Sequence, residues 1–228
     1  MNKLYVNEIF ESVQGEGYNT GRLATFVRFA GCNLRCAFCD TKYSWDKERY
    51  VYKEAPVDLF KIIVESEFKS SFIILTGGEP LTQDFDALCE FVNILQEHGY
   101  EVALETNGSI DFAHYKLKPD WITVSPKQIP FAMERGDELK LLYTGDEDLE
   151  WYGNMRFKQF YLQPVLPDYP IDELPIEEDG RDYGLSIAKE TALWWHKCRM
   201  STAMVVRAIK KNPKWKLSFQ AHKLAGLK

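Results

Sequence analysis

Three cysteines fall within eight positions, at Cys32, Cys36 and Cys39, in the stretch Gly31-Cys-Asn-Leu-Arg-Cys-Ala-Phe-Cys-Asp-Thr41. A C-x3-C-x2-C loop can wrap its thiolates around a compact inorganic centre, and soft thiolates select iron–sulfur or zinc over hard cations. A [4Fe–4S] cube takes four ligands. Three local ones leave an iron open to a substrate or cofactor. Zinc is the second reading, its tetrahedron completed by a His or by Cys89 or Cys198. The third treats the thiols as small core hydrophobes, which a polar loop containing Gly and Asn does not favour.

With 228 residues, 45% hydrophobic and 14% aromatic, the chain can bury a sizeable core, and we read residues 1–228 as a single domain. A net charge of −6 argues against a nucleic-acid surface. The sequence shows neither a secretory leader nor an apolar run of membrane-spanning length. Five cysteines, three of them clustered, suit a reducing compartment better than a disulfide scaffold, so the expected location is the cytoplasm.

Along the chain, residues Tyr5 to Phe10 alternate as a strand, and Glu11 to Gly17 follows as a polar loop with two glycines. Leu23 to Phe29 is a strand running into the cysteine loop, with Arg28 near its end. Arg28 serves either a surface ion pair or as a fork for a carboxylate beside the cluster. Helices are expected over Pro56–Phe68 and Phe85–His98, the second stopping at Gly99 and carrying Cys89 as a packing residue. Further strands are expected at Phe72–Leu75, Val102–Leu104, Trp121–Val124, Leu139–Tyr143, Phe160–Leu162 and Leu217–Phe219. Most of these end in a polar, Gly or Pro cluster. In a parallel barrel the C-terminal strand ends share one face, and that face carries the site. Asp146–Tyr152 reads as a short helix, 166–183 as an exposed acidic loop, and Leu185–Lys210 as a long helix with a structural Cys198 and with Trp194, Trp195 and Met200 for burial.

The cysteine loop, with Phe38 before its last Cys, and the segment Thr76-Gly-Gly-Glu-Pro80 resemble the signature of the radical S-adenosylmethionine (SAM) superfamily. Val13-Gln-Gly-Glu-Gly17, Glu105-Thr-Asn107, Ser125-Pro-Lys127, Gln163-Pro164 and Ser218-Phe-Gln-Ala-His-Lys223 narrow the resemblance to the 7-carboxy-7-deazaguanine synthases. This implies an α/β fold, a modified partial (β/α)6 TIM-like barrel, and a homodimer. It implies a [4Fe–4S] cluster on Cys32, Cys36 and Cys39, whose open iron is chelated by SAM, and conversion of 6-carboxy-5,6,7,8-tetrahydropterin to 7-carboxy-7-deazaguanine with loss of ammonia. The electron would come from a flavodoxin or ferredoxin.

By the same resemblance, Val13, Gln14, Gly15, Arg28 and Thr76 hold the pterin, with Arg28 facing its carboxylate, and His222 and the terminal carboxylate of Lys228 join them. Gly77, Gly78 and Glu79 receive the SAM amino group, and Phe38 and Asp40 approach SAM through the cluster loop. Ser125, Pro126, Lys127 and Gln163 contact its ribose or carboxylate, and Glu105 is a further candidate. Thr41 supplies a hydroxyl to Mg2+, an ion that takes few protein ligands and completes its shell with water and substrate oxygens. Without the resemblance, that hydroxyl would cap the following turn. Two rivals stand beside this reading: a glycyl-radical activase acting on a partner protein, and a non-catalytic zinc or iron–sulfur module. A proton acceptor for the late steps is unassigned.

Overall fold

The computed structural model describes residues 2–113, 115–167, 184–221 and 223, with the side chains of 184–191 outside that description. Strands β1 (Leu4–Val13) and β2 (Leu23–Phe29) form an antiparallel hairpin, and β3 (Tyr52–Glu54) pairs with the outer edge of β1. From β2 onward every pairing is parallel, through β4 (Phe72–Gly77), β5 (Glu101–Thr106), β6 (Trp121–Val124), β7 (Arg135–Tyr143), β8 (Arg156–Pro164) and β9 (Lys216–Leu217). The order is β3-β1-β2-β4-β5-β6-β7-β8-β9. The two ends of this sheet approach each other through loops, since Ala221 donates its N–H to the carbonyl of Gly15 at 3.1 Å and Gly17 donates to Ser218 Oγ at 2.9 Å. The expected α/β partial barrel is therefore what the chain forms.

Helix α1 (Pro56–Glu65) begins on a proline, whose missing N–H is no loss in a first turn. Helix α2 (Phe85–Glu97) is capped by Asp84, which accepts from the Ala87 N–H at 3.0 Å, and ends before Gly99 in the left-handed region. Its Leu88, Phe91, Val92 and Leu95 are fully buried against the sheet. Each such side chain contributes about 1.5–3 kcal/mol of burial. Helix α3 (Leu149–Gly153) is short, and α4 (Gly184–Lys211) packs on β8 and β9. Among the described residues no helix lies between β5 and β6 or between β6 and β7, which is how this barrel is reduced. No helix among them is long and apolar enough to cross a membrane.

Strand alternation sorts the sheet's two faces. Ile73 and Leu75, Val102 and Leu104, and Leu139 and Leu141 join the large core under the helices. Ala24, Phe72, Ile74 and Ala103 form a separate small cluster on the other face, with Phe26 and Trp121 against it. Two residues further along the same strands, that inner face bears Arg28, Thr76, Glu105 and Thr123. The apolar cluster thus closes one end of the barrel interior, and polar side chains occupy the next layer.

Three expectations change. The hairpin makes β1 antiparallel, so Val13 lies at the opposite end of β2 from the cysteine loop; it reaches the interior because the loop after it folds across the barrel. Strand β1 also continues through Glu11 to Val13, where a loop was expected, because residues 11–13 stay paired with 23–25. On α4, Trp194 and Cys198 are buried against Leu166, but Trp195 and Met200 are about half exposed. The acidic stretch 168–183, His222 and Lys228 lie outside the described residues.

Candidate active site

One cavity of about 470 Å³ occupies the barrel interior and opens at the cysteine loop. Cys32, Cys36 and Cys39 line it, together with Phe38, Asp40 and Thr41. The loop is shaped by its main chain: Gly31 donates to Ser44 O at 2.8 Å, Cys32 to Trp45 O at 3.1 Å, and Cys39 to Cys36 O at 3.1 Å. The Gly-Gly-Glu-Pro segment after β4 is stacked directly against it. Glu79 N–H donates to Gly31 O at 2.8 Å, and Gly78 N–H donates to Phe29 O at 3.0 Å. A Cβ on Gly78 would stand 2.1 Å from Gly31 O, and one on Gly77, at φ +118°, would stand 2.4 Å from Phe29 N. No side chain fits at either position.

The thiols suit a thiolate-bound cluster. Cys32 Sγ accepts the Leu34 N–H at 3.4 Å, and burial pushes the Cys32 and Cys36 thiols up, so an inorganic cation is what would draw them into thiolates. The chain has two other cysteines. Cys89 packs on the main core from α2, and Cys198 sits with Leu166 and Trp194. Among the described residues no three His, Cys, Asp or Glu side chains converge on a single ion. Cys32, Cys36 and Cys39 are each partly exposed on the cavity wall. Thr41 Oγ1 lies 3.6 Å from Cys39 Sγ and makes no cap to the turn that follows, leaving its hydroxyl on the cavity.

Val13, Gln14, Gly15, Arg28, Thr76, Gly77 and Gly78 all line the wall, as do Glu105, Ser125, Lys127 and Gln163. Arg28 pairs through Nε with Glu8 Oε1 at 2.7 Å, opposite it across the hairpin, and Tyr43 OH donates to the same oxygen at 2.6 Å. Arg28 thus makes a largely buried ion pair and also lines the cavity. Burial, with Glu8 adding to it against the opposing Arg28 charge, pushes the Tyr43 phenol up to about 12. Lys127 Nζ donates to Ser125 Oγ at 2.7 Å, and burial followed by the charge of Lys140 lowers its pKa. Gln163 accepts from Ser218 Oγ at 2.8 Å, tying β8 to the C-terminal segment.

Two expected positions are placed elsewhere. Glu79 is fully buried behind the wall, where Oε1 accepts from Leu81 N and Thr106 Oγ1 and Oε2 accepts from Asn107 N. It braces the loop ends of β4 and β5, and burial raises its pKa against those hydrogen bonds. Pro126 is buried and off the cavity wall, while its neighbours face in. Glu105 accepts from Gln14 Nε2 at 2.9 Å and Thr76 Oγ1 at 3.2 Å, two of the expected pterin residues. Residues not anticipated as site residues also line the cavity, among them Glu16, Tyr43, Lys140, Gln220 and Lys223. Lys223 reaches Asp40 Oδ2 at 3.5 Å, joining the chain's last described segment to the cluster loop. Strand alternation alone would have marked Lys140 as inward-facing.

Residues 26–130 match the Radical SAM superfamily. Over 98% of its length the chain is 36% identical to the 7-carboxy-7-deazaguanine synthase of Bacteroides thetaiotaomicron, covering 98% of that protein. It is 33% identical to the synthase of the same name from Bordetella pertussis, over 97% of this chain and 98% of that one. Among solved structures, the crystal structure of QueE from Escherichia coli superposes with a TM-score of 0.64 at 24% identity, over 96% of this chain and 95% of that one.

Proposed function

The chain belongs to the 7-carboxy-7-deazaguanine synthase family of radical SAM enzymes, and from that premise we propose that its cavity turns 6-carboxy-5,6,7,8-tetrahydropterin into 7-carboxy-7-deazaguanine with loss of ammonia. The observation that supports this most is that one cavity serves both groups. It holds the three thiols at one end and Arg28, Gln14 and Thr76 in its interior, so a cluster-bound cofactor and a small anionic heterocycle can meet in it.

Cys32, Cys36 and Cys39 would hold the [4Fe–4S] cluster, which with SAM supplies a 5'-deoxyadenosyl radical for hydrogen-atom abstraction. The residues do the placing. Arg28, steered by Glu8, offers its remaining guanidinium edge to the pterin carboxylate, where a planar fork is suited to bidentate contact. Gln14, Thr76 and Glu105 present amide, hydroxyl and carboxylate groups to the ring. Gly77 and Gly78 leave main chain exposed where SAM must lie close. Phe38, Asp40, Ser125, Lys127 and Gln163 complete the SAM wall. The enclosure excludes water from the radical step. We further infer Mg2+ at Thr41, a flavodoxin or ferredoxin as reductant, action as a homodimer in the cytoplasm, and one domain over the 228 residues.

The test is anaerobic incubation of the reconstituted protein with SAM, a reductant and the carboxytetrahydropterin, with and without Mg2+, read by mass spectrometry. Formation of 7-carboxy-7-deazaguanine with little net SAM loss is expected, faster with Mg2+. Deoxyadenosine without a pterin product would move the substrate elsewhere, toward an activase. An intact cluster with no SAM cleavage would sink the enzymatic reading.

A further inference from the structure

Behind the pterin-facing residues lies a charge cluster that the reaction as described does not use. Lys140 projects inward from β7 with its side chain 6% exposed, and its Nζ stands 2.5 Å from Glu16 Oε2 and 3.8 Å from Glu105 Oε1. These three residues come from the loop after β1, the end of β5 and the middle of β7, and all three line the cavity. Glu16 also accepts from Gln220 Nε2 at 3.1 Å, and Glu105 accepts from Gln14 and Thr76. Glu138, two residues before Lys140, is a third carboxyl facing it, and Lys127 is the facing cation. Burial alone would discharge Lys140, but Glu105, Glu16 and Glu138 outweigh it and hold the ammonium well above the ordinary lysine range.

This ion pair forms part of the cavity wall. Without its cation, each carboxylate loses the contact that fixes its direction. The 2-amino-4-oxopyrimidine ring of a pterin presents amino and ring N–H donors along one edge, and these require acceptors.

We propose that Lys140 is a positioning residue of this site: its ammonium, between Glu16 Oε2 and Glu105 Oε1, holds both carboxylates in place on the cavity wall, where they accept the N–H donors of the substrate's pyrimidinone edge. The assignment rests on the pterin reading given above. It predicts that binding of the substrate requires a cation at position 140.

The test uses full-length, cluster-loaded protein with SAM, held without reductant, and measures binding of 6-carboxytetrahydropterin and of its 2-deamino analogue by anaerobic calorimetry at one pH. Lys140→Met should weaken binding of the pterin by about tenfold or more, since a buried charge pair loses one partner, and binding of the analogue by less, because it lacks one of the donors. Lys140→Arg should restore most of the affinity. Wild-type affinity in Lys140→Met, or an equal loss for both ligands, would overturn the assignment. Where Lys140→Met fails to retain its cluster absorbance, Lys140→Met with Glu16→Gln is compared with Glu16→Gln alone, and a further loss for the pterin is expected through Glu105. No difference there would overturn it. Failure of the wild type to bind the pterin would instead refute the substrate reading.

Discussion

The mouth of the cavity and its floor are fixed by different means. At the mouth, main chain packs on main chain: Gly31, Gly77 and Gly78 approach so closely that the Cys32 loop and the β4 loop share hydrogen bonds, while the cysteine side chains are left for a ligand. On the floor, main chains stay apart and charged side chains bridge them, Lys140 to Glu16 and Glu105, with Gln14 and Thr76 on the latter. A cluster brings its own charge, so its pocket needs shape. A heterocycle with several N–H and O positions needs acceptors and donors whose protonation is settled beforehand.

If the mouth depends on main-chain shape, its glycines should tolerate least. Gly77→Ala forces a left-handed residue with a side chain and places its Cβ 2.4 Å from Phe29 N and 2.5 Å from Phe29 O, atoms of a central strand that cannot yield. The expected loss of stability is roughly 3 kcal/mol or more. Thermal unfolding and iron content after reconstitution check it, and both should fall together. Near-normal melting with full iron would mean that the two loops are held by something other than this contact.

The two regions also differ in how they can be read from sequence. The mouth is contiguous: Gly31 to Thr41 and Thr76 to Pro80 carry their spacing in the chain, and the structure brings those segments into one wall. The floor is not, because Glu16, Glu105 and Lys140 are joined only by the order of the strands. Period-two alternation did hold the information, since Leu139 and Leu141 pack outward and Lys140 between them must face in. What alternation lacks is the identity of the partner, which the antiparallel hairpin and the returning loop decide. Glu79 shows the opposite case. Its place in the Gly-Gly-Glu-Pro segment implied ligand contact, and in the structure its carboxylate is buried and accepts from three protein donors. Burial is what a turn sequence does not encode.

A smaller effect separates side-chain recognition from fold. Arg28→Lys keeps a positive charge opposite Glu8 but replaces the planar fork with a point charge. Substrate binding should weaken by about ten- to a hundredfold, the equivalent of roughly 1.4–3 kcal/mol, seen as a raised KM. The melting temperature should stay within a few degrees, since the hairpin's pairing is unaltered. A comparable loss of stability would make Arg28 part of the frame, like the mouth.

The smallest effect tests how many charges the floor carries. Glu138 is buried, its Oε2 accepts from Tyr18 N at 3.0 Å, and its Oε1 has no hydrogen-bond partner. Burial raises its pKa, with Lys140 opposing. A carboxyl raised on folding contributes stability below its unfolded pKa, near 4.3, and loses that contribution as the pH climbs through its folded value. Glu138→Gln cannot ionise, so relative to wild type it should gain on the order of 1 kcal/mol between pH 5 and pH 8, by chemical denaturation at each pH. An identical difference at both pH values would mean that Glu138 ionises as readily folded as unfolded. The outcome fixes the floor's balance. With Glu138 neutral at the lower pH, Lys140 faces two anions, an excess of one acceptor charge turned toward the substrate's N–H edge. With Glu138 ionised it faces three, and one carboxylate competes with the other two for the lysine that positions them.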